Sequence, residues 1–478
     1  MTRQSKKTKI IATIGPASHT PPMLKSLFRA GADVCRLNFS FGSHEQHLKM
    51  IKTIREVSRK CGKPIAILQD LQGPKIRIGT LNTPVSVKKN DRIVLTGKTK
   101  HAQEKVLPTT YPRIAEDTNA GKTILVADGT ISLKVMKTDR KKKEVLCRVT
   151  GGGTMMTGKG INLPDTDISV PSLTPKDRRD ALFGAKAGVD YIALSFVRSA
   201  ADIIKLKKLL KSIGRDTPVI AKIEKPGALA DIENIIDAVD GVMVARGDLA
   251  VEISLAQVPI AQKKIIRLAN RKGKIAITAT QMLESMTENP VPTRAEASDV
   301  ANAILDGTDA IMLSGETATG KHPEKAIRVM NRIAREIEAS QLSSKGVREM
   351  LDLPKDDAVR NALCAAASYL SYLTGEKGFA VFSASGMTVK ILSKFRPQTH
   401  IYAASAQEDF CNRMALLHNV SPVLIENRDL KNPESALNAL IDELLKRKQV
   451  QKGDRMIILT GQNHQARWHT DTIRVRTI

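Results

Sequence analysis

From Lys9 to Glu316 the chain alternates short apolar runs with stretches whose apolar residues recur every three or four positions. The apolar runs are KIIATIG (Lys9–Gly15), VCRLNFS (Val34–Ser40), IAILQDL (Ile65–Leu71), YIALSF (Tyr191–Phe196), VIAKIE (Val219–Glu224), GVMVARGD (Gly241–Asp248), IAITAT (Ile275–Thr280) and AIMLSGE (Ala310–Glu316). Each reads as a strand, and each is followed sooner or later by a segment of helical spacing. These segments lie near Met23–Ala30, Ser43–Lys60, Pro175–Ala187, Ala200–Ser212, Leu229–Asp240, Ile260–Lys272, Ala295–Leu305 and Pro323–Ser340. SHEQ (Ser43–Gln46) has the form of a capping box at the second of them. Eight such units predict a (β/α)8 barrel.

The rhythm breaks after the third strand. KIRIGTL, PVSVKK, DRIVLTG, KTILVADG, TISLKV and KEVLCRVTGGG are short β-rich segments separated by turn residues, between Gly73 and about Pro171. They predict an all-β insertion placed as a lid over the barrel mouth. After the polar stretch Gln341–Asp357, a helix near Ala358–Leu373 precedes strands FAVFSA, HIYAAS, PVLI, RMIILT and a closing TIRVRTI. That pattern predicts a separate open α/β domain. The expected division is therefore barrel at 1–73 and 172–341, inserted β lid at 74–171, and C-terminal α/β domain at 342–478.

Aromatic residues make up only 3% of the 478 residues, so aliphatic side chains must fill the cores. The five cysteines are odd in number and form no CxxC pair, which argues for a reducing compartment and against structural zinc. The apolar run near the N-terminus is too short for a signal peptide, and no stretch has the length of a membrane span. A cytoplasmic protein without a membrane partner is expected. The net charge of +26 raises nucleic acid as a partner. The lysines are scattered, however, and the densest run, Asp139–Glu144, reads as a hairpin turn. Few aromatics are available for base stacking. A solvated basic surface that suits anionic substrates is the better reading.

In a barrel the C-terminal ends of the strands share one mouth, where ligands bind. Arg36, Asn38 and Ser40 end the second strand and Asp70 the third. Lys222 and Glu224 end the fifth, Arg246 and Asp248 the sixth, and Thr280 the seventh. Taken singly each is an ordinary loop residue; their recurrence at strand ends argues otherwise. Lys222 with Glu224 and Asp248 gives one cation and two hard carboxylates, a set suited to Mg²⁺ bridging an anionic substrate. ARGD precedes a possible helix turn whose free N–H groups would hold a carboxylate or phosphate. The set suits phosphoryl transfer, where catalysis is mostly positioning and charge neutralisation. SASGMT (Ser383–Thr388) joins a strand to a helix start, as phosphate-binding turns and plain caps both do. His44 and His47 have metal-ligand spacing but no third ligand in view, and read as an exposed helix start.

TKIIATIGPAS, RLNFSFG, DLQGPKIR, KGINLP, KIE, MVARGDLAVEI, TATQMLESM, PTRAEASDVANAILDGTDAIMLSGETA and TIRV together resemble the pyruvate kinase family, in the family's order and over essentially the whole chain. The resemblance implies transfer of phosphate from phosphoenolpyruvate to ADP, giving pyruvate and ATP, in a cytoplasmic homotetramer. It implies that Glu224 and Asp248 hold Mg²⁺, with Mn²⁺ as a substitute, and that Lys222 neutralises the phosphoryl group and the enolate. Thr280 would stand beside the enolate methylene. Arg36, Asn38, Arg77 and the lid residue Lys159 would serve the nucleotide, Arg36 and Arg77 also gripping the phosphoryl group. Backbone N–H groups from Ala245 through Arg246 and Gly247 to Asp248 would take the substrate carboxylate. A phosphorylated effector is expected at Ser383, Ser385, Gly386 and Thr388.

Two departures stand out. Many family members read DTKGPEIRT where this chain reads DLQGPKIRI, so Leu71 and Lys75 replace a threonine and a glutamate that accompany K⁺. A lysine ammonium can supply that charge, so an enzyme that does not require K⁺ is expected, with Asn38, Ser40 and Asp70 as partners for Lys75. The segment Gly461–Val475 also replaces a glycine-rich loop, and Arg467, Trp468 and His469 would border the effector pocket. Another barrel enzyme acting on phosphoenolpyruvate-like acids would leave the lid and third domain unexplained. An inactive RNA-binding or scaffolding protein would be expected to lack one of Lys222, Glu224, Asp248 or Thr280, and all are present.

Overall fold

The computed structural model describes residues 6–98, 105–164, 166, 168–340, 358–383, 386–426, 432–461, 463–464, 467–468 and 470–478. Eight parallel strands close into a barrel: β1 (Lys9–Thr13), β2 (Val34–Asn38), β3 (Ala66–Asp70), β4 (Tyr191–Leu194), β5 (Val219–Ile223), β6 (Gly241–Ala245), β7 (Ile275–Ala279) and β8 (Ala310–Leu313). Neighbours in sequence are neighbours in space, and β1 pairs with both β2 and β8. Side chains alternate between two cores. Ile11, Leu68, Tyr191, Met243, Ile277 and Met312 fill the barrel interior, while Ile10, Ile67, Ile192, Val244 and Ile311 pack outward against the helices. Each such buried aliphatic contributes roughly 1.5–3 kcal/mol by leaving water.

Some of the helices begin at capping boxes. Ser43 and Gln46 form the expected capping box of helix His44–Cys61, and Thr174/Asp177 and Thr293/Glu296 do the same elsewhere. The single helix expected over Leu229–Asp240 is instead two, Pro226–Ala230 and Ile232–Ala238. Asp231 sits between them, accepting from the Ala200 N–H at 2.9 Å and the Asn234 amide at 2.6 Å.

Between β3 and helix Pro175–Ala187 a sheet forms the lid, antiparallel except where Arg92–Thr96 and Val106–Pro108 pair in parallel. Its strand order is Ile76–Arg77, Gly160–Asn162, Thr123–Val126, Ile131–Asp139, Glu144–Gly151, Arg92–Thr96 and Val106–Pro108. Ile124, Leu133, Val145 and Cys147 are its core. KIRIGTL contributes only Ile76–Arg77 as strand, since that pair alone meets Gly160–Ile161.

The C-terminal domain is a five-stranded sheet ordered Val420–Leu424, His400–Ser405, Gly378–Phe382, Arg455–Thr460 and Thr472–Thr477, parallel except for the closing edge strand. It docks beneath the barrel, opposite the mouth. Lys394 and Arg396 converge on Asp309, which precedes β8, with the Arg396–Asp309 pair at 2.9 Å. Tyr191 donates to the Arg413 carbonyl at 2.9 Å, and Lys9 to that of Val420 at 2.6 Å. Among the described residues no helix is long and apolar enough to cross a membrane.

Candidate active site

The strand register brings the charged ends together. Asn38 lies opposite Asp70, and Ala193 opposite Asp70 on its other side. Lys222 of β5 lies at the centre of the resulting cluster. Its ammonium is 2.9 Å from Glu224 Oε1 and 3.2 Å from Asp70 Oδ1, and donates to Ser195 Oγ at 2.8 Å. Asp70 is held from its other side by Arg36, whose Nε donates at 2.7 Å while Nη1 reaches Thr13 Oγ1 at 3.0 Å.

Burial alone would push the Lys222 ammonium down, but the Asp70 and Glu224 carboxylates overcome it and hold the group above its usual range. Burial raises the Glu224 carboxyl, Lys222 opposes that, and the balance stands above the usual carboxylate range. For Asp70 the order reverses: burial raises it, yet Lys222 and Arg36 bring it below that range. The cluster therefore keeps its lysine charged. Glu224 is fixed by the Phe196 N–H, which donates to Oε2 at 2.6 Å from a residue with φ of 53°.

Across the mouth, helix Arg246–Glu252 starts directly at the end of β6. The Gly247 N–H donates to Thr280 Oγ1 at 2.8 Å, and the Thr280 hydroxyl donates to the Ala279 carbonyl at 2.6 Å. Thr280 itself has φ of 69°, a left-handed conformation in which a β-branched residue is strained. The Arg246 guanidinium turns away from the mouth and is buried. It donates to the carbonyls of Thr280 at 2.7 Å and Gln281 at 3.0 Å and pairs with Asp299 at 2.6 Å. Its side chain is thus committed to structure, and only its backbone faces the site.

Lys75 does not join Asn38, Ser40 or Asp70. Its ammonium lies 3.1 Å from Asp248 Oδ1. Asn38 is used locally, its Oδ1 accepting the Ser40 N–H at 3.0 Å, and Asp70 is saturated by Arg36, Lys222 and Ser195. Arg77 donates to the Gly158 carbonyl at 2.8 Å on the lid, and Lys159 beside it is exposed. Between lid and barrel runs a cleft of about 510 Å³, bordered by Lys75, Asp128, Asp248, Thr280, Glu284 and Glu316. Burial holds the Glu316 carboxyl above its usual range, although it accepts from the N–H groups of Ser314 and Leu283.

Ser195 and Glu316 were not singled out from the sequence. Both follow barrel strands at the mouth, which is the signal that could have found them. His44 and His47 hold no metal arrangement: His44 pairs with Asp180 at 2.8 Å and stacks on Phe183, and His47 stacks on Phe39. In the C-terminal loop, Ser383 accepts from the Gly386 N–H at 3.0 Å, and Gly386 takes φ of 76°. Thr388 is buried with its hydroxyl 2.6 Å from that of Thr470. Ser385 and His469 lie outside the described residues, as do the side chains of Arg467 and Trp468.

The family description "Pyruvate kinase, barrel domain" matches residues 5–327, and "Pyruvate kinase, alpha/beta domain" matches residues 361–476. Pyruvate kinase 2 of Synechocystis is 41% identical over 99% of this chain and 79% of its own. The pyruvate kinase of Staphylococcus saprophyticus is 41% identical over 95% of this chain and 78% of its own. That of Staphylococcus aureus strain MRSA252 is 40% identical over the same shares.

Proposed function

Because the chain belongs to the pyruvate kinase family and is a phosphotransferase, with phosphoenolpyruvate and ADP as its substrates, we propose that it works through the Lys222 cluster with Mg²⁺ and without K⁺. The observation that carries this reading is the Lys222 ammonium set between Asp70, Glu224 and Ser195 at the mouth. Enzymes of this family use a divalent metal, and Glu224 and Asp248 are the ligands proposed here. The donor chemistry fits: Glu224 Oε1 is buried with no hydrogen-bond donor beyond its ion pair to Lys222. No group of three or more His, Cys, Asp or Glu stands ready to cage a metal among the described residues. A pair of carboxylates that leaves the other positions to substrate and water is how Mg²⁺ is commonly held, and Mn²⁺ would fit the same donors. An ion held there would supply positive charge to the substrate's phosphoryl and carboxylate oxygens.

The residues do the rest. Lys222, kept charged by its neighbours, offers a fixed cation to the enolate oxygen as the P–O bond of phosphoenolpyruvate breaks. Arg36, braced by Asp70 and Thr13, presents its remaining N–H groups to the transferring phosphoryl group. Thr280 positions the water that protonates the enolate carbon. Backbone N–H groups between Ala245 and Asp248 orient the substrate carboxylate. Arg77, Lys159 and Asn38 receive the nucleotide when the lid excludes water. Lys75 supplies from the chain the charge that a monovalent cation would bring.

A phosphorylated effector would be taken at Ser383, Gly386 and Thr388, and at Ser385. Ser383 and Thr388 are bonded internally, so the effector would compete with the Gly386 N–H and the Thr470 hydroxyl for them. A homotetramer is supported by apolar side chains left exposed in two places. Leu255 and Ile260 stand at the start of helix Val258–Arg271, while Tyr369, Tyr372 and Leu373 share one face of helix Ala358–Thr374. A dihedral tetramer needs two separate patches that can each meet their own copy, and sedimentation at four times the chain mass is expected.

The test is ATP formation from phosphoenolpyruvate and ADP with Mg²⁺, in K⁺ and in tetramethylammonium. Equal rates are expected. Activity only in K⁺ would remove the role given to Lys75; no activity in either salt would overturn the whole reading.

A further inference from the structure

Each proposed metal ligand already holds an ammonium group. Lys222 Nζ lies 2.9 Å from Glu224 Oε1, and Lys75 Nζ lies 3.1 Å from Asp248 Oδ1. The two are held very differently. Lys222 has a second carboxylate, Asp70, and the Ser195 hydroxyl, and its side chain is 12% exposed. Among the described residues the Lys75 ammonium has Asp248 as its one carboxylate partner, and its side chain is 27% exposed. A dication arriving at these carboxylates competes with both lysines for the same negative charge. The lysine with one partner and access to water yields.

Lys75 also has somewhere to go. It stands at the root of the lid, one residue before the strand that pairs with Gly160–Ile161. Measured from the point where a Cβ on Gly160 would sit, Lys75 Cε is 3.7 Å away and Asp128 Oδ1 is 3.9 Å away. Asp128 is therefore a neighbouring carboxylate, carried by the lid and lining the same cleft. The rest of the lid's footing is firmer. Asn162 donates to Glu252 at 2.8 Å, Lys225 pairs with the same oxygen at 2.6 Å, and all three side chains are buried.

We propose that Lys75 is the resident counter-ion of Asp248 in the metal-free enzyme, and that a divalent cation loads by displacing it toward Asp128. The proposal rests on the reading of Glu224 and Asp248 as metal ligands. No bond is made or broken; one carboxylate exchanges an ammonium for a metal ion. Because coupling between two binding events is reciprocal, removing the ammonium must tighten the metal, and the metal must loosen the lid root.

Mn²⁺ binding to the full chain without substrates, followed by the paramagnetic resonance of free Mn²⁺, tests this. Lys75→Met is expected to bind Mn²⁺ about two- to five-fold more tightly than the unmodified enzyme, and Lys75→Arg close to unchanged. Asp128→Asn is expected to bind about two- to three-fold more weakly. Amide exchange at Ile76–Arg77 and Gly160–Ile161 should quicken when Mn²⁺ is added to the unmodified chain, and not in Lys75→Met. Asp248→Asn separates the two ideas. If Asp248→Asn weakens Mn²⁺ binding and Lys75→Met does not tighten it, the displacement is wrong and the metal site stands. If Asp248→Asn binds as before, the metal site is wrong and the displacement falls with it. Equal tightening in Lys75→Met and Lys75→Arg would trace the effect to shape instead of charge and overturn the proposal. Unchanged binding in Asp128→Asn would overturn the transfer to the lid.

Discussion

A lysine ammonium within 3.2 Å of two buried carboxylates is already neutralised before any substrate arrives. That cost is met once, at folding, so the cation is in place when charge develops on the substrate. Lys222→Met should lower kcat by roughly 10²–10³-fold, the usual effect of removing one stabilising donor from such a site. Asp70 keeps Arg36 in the variant and Glu224 keeps the Phe196 N–H, so the fold should survive, as circular dichroism would check. A variant with near-normal kcat would remove Lys222 from the chemistry. The residue was legible in the sequence because it breaks an apolar run at a strand end. Its support was not: Ser195 is a small polar residue after YIAL, and nothing local marks it as the bridge between Lys222 and Asp70. Lys75 was legible as a replaced position, but its partner, which lies 173 residues away, was not. Distance along the chain hides which carboxylate a lysine will meet.

At the scale of elements, the barrel strands were readable because each is a four- or five-residue apolar run cut off by charge or turn residues. The lid was readable as β but not in detail. Val106–Pro108 has three residues and ends in proline, so no alternation can develop. The split helix around Asp231 was likewise invisible, since its apolar spacing continues through the break. One contact between elements controls the mouth directly. A Cβ on Gly15, in the loop after β1, would sit 2.6 Å from the Ala318 carbonyl oxygen and 3.0 Å from its Cα. Both are backbone atoms of the turn Gly315–Ala318, which carries Glu316 into the cleft. Gly15→Ala should therefore cost about 1–3 kcal/mol of stability by overpacking and should also raise KM, because the turn must move. Thermal unfolding and steady-state kinetics would check both; an unshifted melting temperature would show that the loop yields freely.

On the scale of the whole molecule, the docked C-terminal domain carries an acid-sensitive core. His400 is half-buried, with Nδ1 2.8 Å from Asn419 Oδ1 and Nε2 2.6 Å from Ser421 Oγ. Burial first, then the charge of Lys9, pushes its pKa down to about 3. His418, buried beside Arg396 and the N-terminal lysines, is pushed well below its usual value too. Below pH 6.5 the unfolded chain takes up a proton that the folded His400 refuses until about pH 3. The stability is therefore complete above pH 6.5 and is lost as the pH falls through that window. Each such histidine costs about 1.4 kcal/mol per pH unit. Calorimetry should show the C-terminal domain melting earlier at pH 5 than at pH 7, with a shallower dependence in His400→Gln. The same melting temperature at both values would contradict this.

The order in which the barrel strands pair has a consequence in time. β3 waits for β4, whose first residue is about 120 positions beyond Asp70, because the whole lid is made in between. β1 waits longer, since Lys9 pairs with Ala310 about 300 positions later. At roughly 5–20 residues per second on the ribosome, β3 presents an unpaired edge for roughly 6–24 s and β1 for roughly 15–60 s. During that interval three apolar strands stand as an open sheet with both edges free, the situation in which strands pair with the wrong chain. The lid's strands pair only with one another, so its sheet can form while the barrel is still open. Synthesis, more than the finished molecule, is where this architecture leaves strand edges unprotected.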